Sequence, residues 1–209
     1  MIPRPQSQSQ SQSVRRREPI AIDQGAAANL RYIRSTMEAA HTFTTVPGNG
    51  CIAMGLLALV AASLEAFTPL GAHWLALWVG AATLACTTAL VLIVRKARSQ
   101  DLNLKHAVAR RFFMTLVPAF VAGAILTAVL VDEVPRATIA GLWLLLYGAG
   151  VAASGVFAVR VVWGAGLAFM LLGAATFRLP ASLAPAMLAL GFGGIHLVLG
   201  EIVRRRHGG

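Results

Sequence analysis

The chain has 209 residues, of which 57 % are hydrophobic and 12 % charged, and a formal net charge of +10. An ordinary soluble domain is about 45–50 % apolar and ~25 % charged, and the excess here lies in long runs that a water-soluble core of this size does not need, so composition excludes such a domain and points to a bilayer as solvent. The charge does not mark a nucleic-acid binder: no DNA- or RNA-reading motif is present, and the cations sit between or beside apolar runs, where they set topology and meet anionic lipid headgroups.

Residues 1–22 read as a disordered cytoplasmic tail, Gln/Ser-rich at first and then basic at Arg15, Arg16 and Arg17. No apolar run follows those arginines at the distance a twin-arginine signal requires, so no cleavable leader is expected. Residues 23–47 read as a cytoplasmic amphipathic helix and turn. Asp23 can cap it, and Ala26, Leu30, Ile33, Met37 and Ala40 recur at helical spacing. Arg34 and Glu38 can pair at i,i+4. The segment is too polar to cross a membrane; it suits the inner headgroup layer or the surface of a protein partner. Pro47-Gly48-Asn49-Gly50 then turns the chain into the bilayer.

A span needs about 20 apolar residues. Residues 50–67, 73–94 and 112–131 meet that requirement, with a short turn after the first and a basic loop, 95–111, after the second. The stretch 137–177 is almost wholly apolar with one charge, Arg160, near its middle. As one helix it would run about 60 Å, twice the core thickness, so two helices meeting at Arg160 are expected. A last span covers 181–203, and 204–209 form a basic tail. The fold class is therefore all-α: a polytopic bundle of six transmembrane helices over 48–203. With the start in the cytoplasm, all of the 18 lysines and arginines except Arg136 and Arg178 fall on the inner side. Merging the two helices at Arg160 would put Arg204, Arg205 and Arg206 outside, which the same rule disfavours.

Lipid tails are as apolar as leucine, so helix packing must come from close contact of small residues. Gly148, Gly150 and Ser154 on the fourth span, Gly164, Gly166 and Gly173 on the fifth, and Gly191, Gly193, Gly194 and Gly200 on the sixth supply them. No GxxxG occurs; Gly150 and Ser154 form a small-xxx-small pair. The last three spans are expected to pack most tightly. Trp74 and Trp78 read as interface anchors rather than a ligand box. Pro118 should kink the third span, while Pro185 falls in the first turns of the last. Cys51 and Cys86 read as two buried thiols, in no metal or redox spacing.

Ionisable groups at membrane depth are costly and are therefore the functional candidates. His196 reads as a proton relay or cofactor ligand, or more plainly as a neutral imidazole bonded to a neighbouring helix. Glu201 can pair with Arg160 across the hairpin or with Arg204 and Arg205 locally. Glu65, His73, Asp132 and Glu133 could gather at the outer face, but their spacing is no metal motif. No catalytic motif is present, and no catalytic residue, metal or cofactor is expected.

Arg31-Tyr-Ile-Arg-Ser-Thr-Met-Glu38, Phe43-Thr-Thr-Val-Pro-Gly48, Gly141-Leu-Trp-Leu-Leu-Leu-Tyr-Gly-Ala-Gly150 and Gly191-Phe-Gly-Gly-Ile-His196 together resemble a family of bacterial integral membrane proteins with no assigned activity. The resemblance implies a multi-pass protein of the bacterial inner membrane and transfers no site residues. Three functions are open: a membrane scaffold or regulatory partner, with a cytoplasmic face for a protein or anionic lipid; a transporter or channel for a small, weakly polar solute; and, least supported, an enzyme, which convergence of His196, Glu201 and Arg160 around a pocket would favour. The second predicts a water-accessible cavity reaching His196, lined by Thr83, Thr87, Thr88 and Thr127. Oligomeric state is left open.

Overall fold

The computed structural model describes residues 25–26, 28–33, 47–99 and 107–207. The chain divides into two units, 1–40 and 41–209. In the first, residues 25–26 and 28–33 are helical and exposed. The tail 1–22, the Arg34–Glu38 pair and most of the amphipathic face assigned to 23–47 lie outside the described residues.

Among its described residues, the second unit is built of helices joined by short turns. Pro47, in extended conformation, precedes α1 (Gly48–Phe67), and its carbonyl accepts from Gly50 N at 3.0 Å and Cys51 N at 3.2 Å. Proline has no N–H to lose at this boundary, which suits it to start a helix. A short 3-10 turn (Pro69–His73) leads into α2 (Trp74–Ser99). Then follow α3 (Ala107–Leu130), α4 (Arg136–Gly155) and α5 (Arg160–Thr176). The last part is a 3-10 turn (Ala181–Leu183), α6 (Ala184–Leu188), a π-helical stretch (Ala189–Ile195) and α7 (His196–His207). Helix α7 carries the Arg204–Arg206 triplet within it rather than in a separate tail.

Among the described residues, five helical stretches are long and apolar enough to cross a membrane: Gly48–Phe67, Pro69–Lys96, Arg110–Leu130, Arg136–Gly155 and Ala181–Arg206. This is the architecture of a multi-span membrane protein. Helix α5 is apolar but has 17 residues, about 26 Å of rise. The long apolar run does break ahead of Arg160: α4 ends at Gly155, and Val159 is extended before α5 begins.

Two antiparallel pairs form the heart of the unit, α4 with α5 and α1 with the π stretch and α7. Both are built on glycines spaced by seven residues. A methyl group on Gly148 would sit 2.7 Å from Gly166 O and from Met170 N, and one on Gly173 would sit 2.6 Å from Leu145 N. One on Gly155 would sit 2.6 Å from Trp163 N. In the other pair, a methyl on Gly200 would sit 2.7 Å from Gly48 O, and one on Gly55 would sit 2.9 Å from Gly193 O. Backbone thus touches backbone, which is where dispersion between helices is largest when hydrocarbon gives no hydrophobic drive. Gly150 meets Ala119 and Leu116 of α3, and Gly191 meets Leu144 of α4. Gly194 departs from expectation: a methyl there meets only Leu190 of its own helix, at 3.5 Å. It stands one position off the seven-residue row and faces no neighbour.

Helix α3 is clamped to α4 by polar atoms as well. Ser154 Oγ, fully buried, donates to Phe112 O at 3.0 Å and lies 3.0 Å from Thr115 Oγ1. Even so, α2 and α3 are peripheral: 6 % of each span is buried inside the protein, against 50 % of α4. Helix α2 packs on α1 and α3 on α4, and the two do not pack extensively on each other.

Replacing Gly148 or Gly166 with Leu should lower the thermal midpoint in mild detergent by roughly 10 °C, the effect of about 3 kcal/mol of forced overpacking. Gly194→Leu should stay within about 2 °C of wild type. Equal losses at all three positions would remove the seven-residue seam as the source of stability.

Candidate functional site: an apolar cleft above a buried histidine

The space between α2 and α3 is a cleft of about 710 Å³, open on one side. Small side chains make its walls. Ala81, Ala82, Thr83, Ala85, Cys86 and Thr87 come from α2, and Ala124, Thr127 and Ala128 from α3. Met54 and Ala58 of α1 contribute from behind. Aromatic rings make the floor: Phe120, Trp143, Tyr147 and Phe192, with His196 among them.

The floor is held by one hydrogen-bonded chain. His196 Nδ1 lies 2.9 Å from Phe192 O, and Tyr147 Oη lies 2.8 Å from His196 Nε2. A carbonyl only accepts, so Nδ1 carries the proton; in the neutral ring Nε2 is then the acceptor and the tyrosine hydroxyl donates. The π stretch provides the geometry. Its glycines weaken the ordinary α-helical register, the backbone N–H of His196 bonds to Gly193 O, and the Phe192 carbonyl receives the imidazole. Around the pair, Tyr147 packs against Phe169 at 4.9 Å and Phe192 at 5.1 Å between ring centroids. Phe169 also lies 5.2 Å from the His196 ring and is itself fully buried. His196 is 3 % exposed. Both nitrogens are satisfied, so the plainer expectation for this residue, an imidazole bonded to a neighbouring helix, describes its surroundings.

The polar groups on the walls are satisfied in the same way. Thr83, Thr87 and Thr127 each donate to the carbonyl four residues back, all at 2.8 Å. Trp143 Nε1 donates to Thr127 Oγ1 at 2.9 Å, and Trp78 Nε1 to Glu65 Oε2 at 2.6 Å. The cleft therefore presents carbon. Among the described residues, the Cys86 thiol is the one free donor an ion or a strongly hydrated solute would find below the mouth, and a weak one, so water there would be unfavoured. Trp74 marks the mouth. Arg136 lies over its ring, 5.6 Å from guanidinium carbon to centroid, and donates Nη1 to Gly71 O at 3.3 Å.

The three ionisable candidates do not converge. His196 is on the cleft floor; Glu201 is on α7, bonded to Arg204 at 2.8–3.0 Å and to Arg205; Arg160 is exposed at the first position of α5. The Glu201–Arg160 pairing is replaced by contacts one turn along the same helix, which need no approach of α5. Thr83, Thr87 and Thr127 line the cleft as expected of a cavity reaching His196, but Thr88 does not. Trp74 and Trp78 line the cleft as well, which the interface-anchor assignment missed. Cys86 is exposed on the wall rather than buried, Cys51 is buried, and both are free thiols. Among the described residues no three His, Cys, Asp or Glu side chains gather as a metal site. Comparison with known proteins returns no matching family model, no matching curated protein and no matching solved structure.

Tyr147→Phe leaves His196 Nε2 without a donor in an apolar surrounding, and should cost about 1–3 kcal/mol of stability. Tyr147→Phe combined with His196→Leu removes both partners and should recover most of that loss. A double variant as unstable as the sum of the singles would mean that the two side chains act independently.

Proposed function

We propose that this chain is a membrane-embedded binding protein of scaffold or regulatory type, which holds a small apolar molecule drawn from the bilayer. The observation that carries the reading is the cleft between α2 and α3. It has the volume of a small-molecule site, it opens between two peripheral helices, and its wall donors are spent on the protein itself. A solute that asks for no hydrogen bond is the one such a wall admits.

In this proposal the chain crosses the bacterial inner membrane six times, α5 being the fifth crossing, with both ends in the cytoplasm. The distribution of lysine and arginine supports that orientation. At 17 residues α5 is at the short end of the ~17–25 that span a core, which is consistent with a fifth crossing. The amphipathic segment, the basic loop 95–111 and the arginines of α7 then share the cytoplasmic side, where they suit anionic headgroups and a protein partner.

Transport of a small, weakly polar solute is the second reading, and the reach of the cleft to His196 favours it. The two differ in whether water enters. The thiolate is the reactive form of cysteine and forms where water reaches. In native membranes Cys86 should resist both a charged thiosulfonate and N-ethylmaleimide, and become labelled only on denaturation, with buried Cys51 as the internal control. Rapid labelling of Cys86 by the charged reagent in intact membranes would establish a hydrated path and replace the binding proposal with transport.

A further inference from the structure

The cleft's size, length and charge together specify its occupant more narrowly than an apolar molecule in general; the inference rests on the reading of the cleft as a binding site. A transmembrane helix from a partner is too large. At ~10 Å across and ~30 Å long it would fill about 2,000 Å³ or more, against about 710 Å³ here. The wall on α2 runs from Trp74 to Thr87, about 20 Å along the helix, somewhat more than the ~15 Å of one leaflet's hydrocarbon. The slot is thus long and narrow, dry along its length, and polar at one end.

That polar end carries a positive charge. Arg136 is exposed, spends one donor on Gly71 O and lies over the Trp74 ring. A guanidinium has five N–H donors. Among the described residues no carboxylate forms an ion pair with Arg136: Asp132 and Glu133, on the loop just before it, do not reach it, and Glu65 takes the Trp78 indole. Among the described residues the Trp74 indole N–H has no partner either, unlike those of Trp78 and Trp143. An uncompensated cation and a free indole donor above a dry slot match an amphiphile with an anionic head.

We propose that the cleft holds one acyl chain of an anionic phospholipid from the leaflet at the Trp74 end, with its phosphate on Arg136. The chain lies along the small residues of α2 and α3 and ends on the ring floor at Tyr147. The bilayer supplies such chains as its own solvent, so the open side of the cleft is always in contact with them.

Bromine on a lipid chain quenches nearby tryptophan. Three of the protein's four tryptophans line the cleft; Trp163 does not and is replaced by Phe. The Trp163→Phe protein is placed in phosphatidylcholine vesicles with an equal mole fraction of either phosphatidylglycerol or phosphatidylcholine carrying a mid-chain dibromide. Brominated phosphatidylglycerol should show about fivefold higher apparent affinity, the weight of one interfacial cation. Adding Arg136→Gln should bring the ratio to about one, and Arg136→Lys should keep most of the preference. Arg178→Gln, two residues beyond α5 and not among the residues lining the cleft, should leave the ratio as it was. A ratio of about one before any of these changes overturns the headgroup proposal and leaves an apolar cleft without headgroup choice. Ala124→Phe, which narrows the wall, should reduce quenching by both lipids. Unchanged quenching in that variant means collision from outside, and overturns the chain-in-cleft proposal itself.

Discussion

Contact between helix backbones, made at glycines seven residues apart, is what the rest of this molecule hangs on. Hydrocarbon offers helices no reason to associate beyond closer packing than lipid can provide. At Gly148 against Gly166, and at Gly48 against Gly200, side chains are absent from both faces and main-chain atoms meet directly. A seven-residue repeat keeps such contacts on one seam along two antiparallel helices. The pairs α4–α5 and α1–α7 are rigid on this account, and the π stretch is pinned between them by Gly55, Leu59 and Leu144.

The cleft follows from where those seams are not. Helices α2 and α3 each lean on one neighbour and turn small residues toward the gap between them. Alanine and threonine there do not fill the space, and the aromatic floor below is too well packed to rise into it. Stability is concentrated in the inner pairs, and openness is left to the two outer helices. This division suits a site that must exchange its contents with the membrane while its base keeps its shape.

Much of this was legible in the sequence because hydrocarbon imposes a short list of demands. Apolar runs of the needed length give the helices, and a lone arginine amid such a run gives the break ahead of Arg160. The glycine seams were present in the sequence too, as Gly141–Gly148–Gly155, Gly166–Gly173 and Gly193–Gly200; several of these residues stand out as small packing groups, but without the seven-residue spacing nothing separates them from Gly194, which packs on nothing outside its helix. The cleft was not legible. Nothing in the composition of α2 or α3 says that they stand apart, and Trp74 and Trp78 carry the same pattern whether they anchor at an interface or line a wall. The π stretch escapes sequence patterns as well, since a run rich in glycine is compatible with a kink, a close contact or a widened turn. His196 was singled out from its depth alone, while its partner Tyr147 is too ordinary in a membrane helix to stand out before the hydrogen bond is seen.

One surplus residue in the widened turn before His196 has a mechanical meaning. Restoring regular winding through Ala189–Ile195 would advance everything after it by one position, about 100° of azimuth. The imidazole would swing away from Tyr147, and the Glu201–Arg204–Arg205 cluster on the same rod would sweep to a new bearing. The shape of the aromatic floor and the bearing of the α7 arginines are therefore set by the same widened turn, which the Gly48–Gly200 and Gly55–Gly193 contacts hold in place.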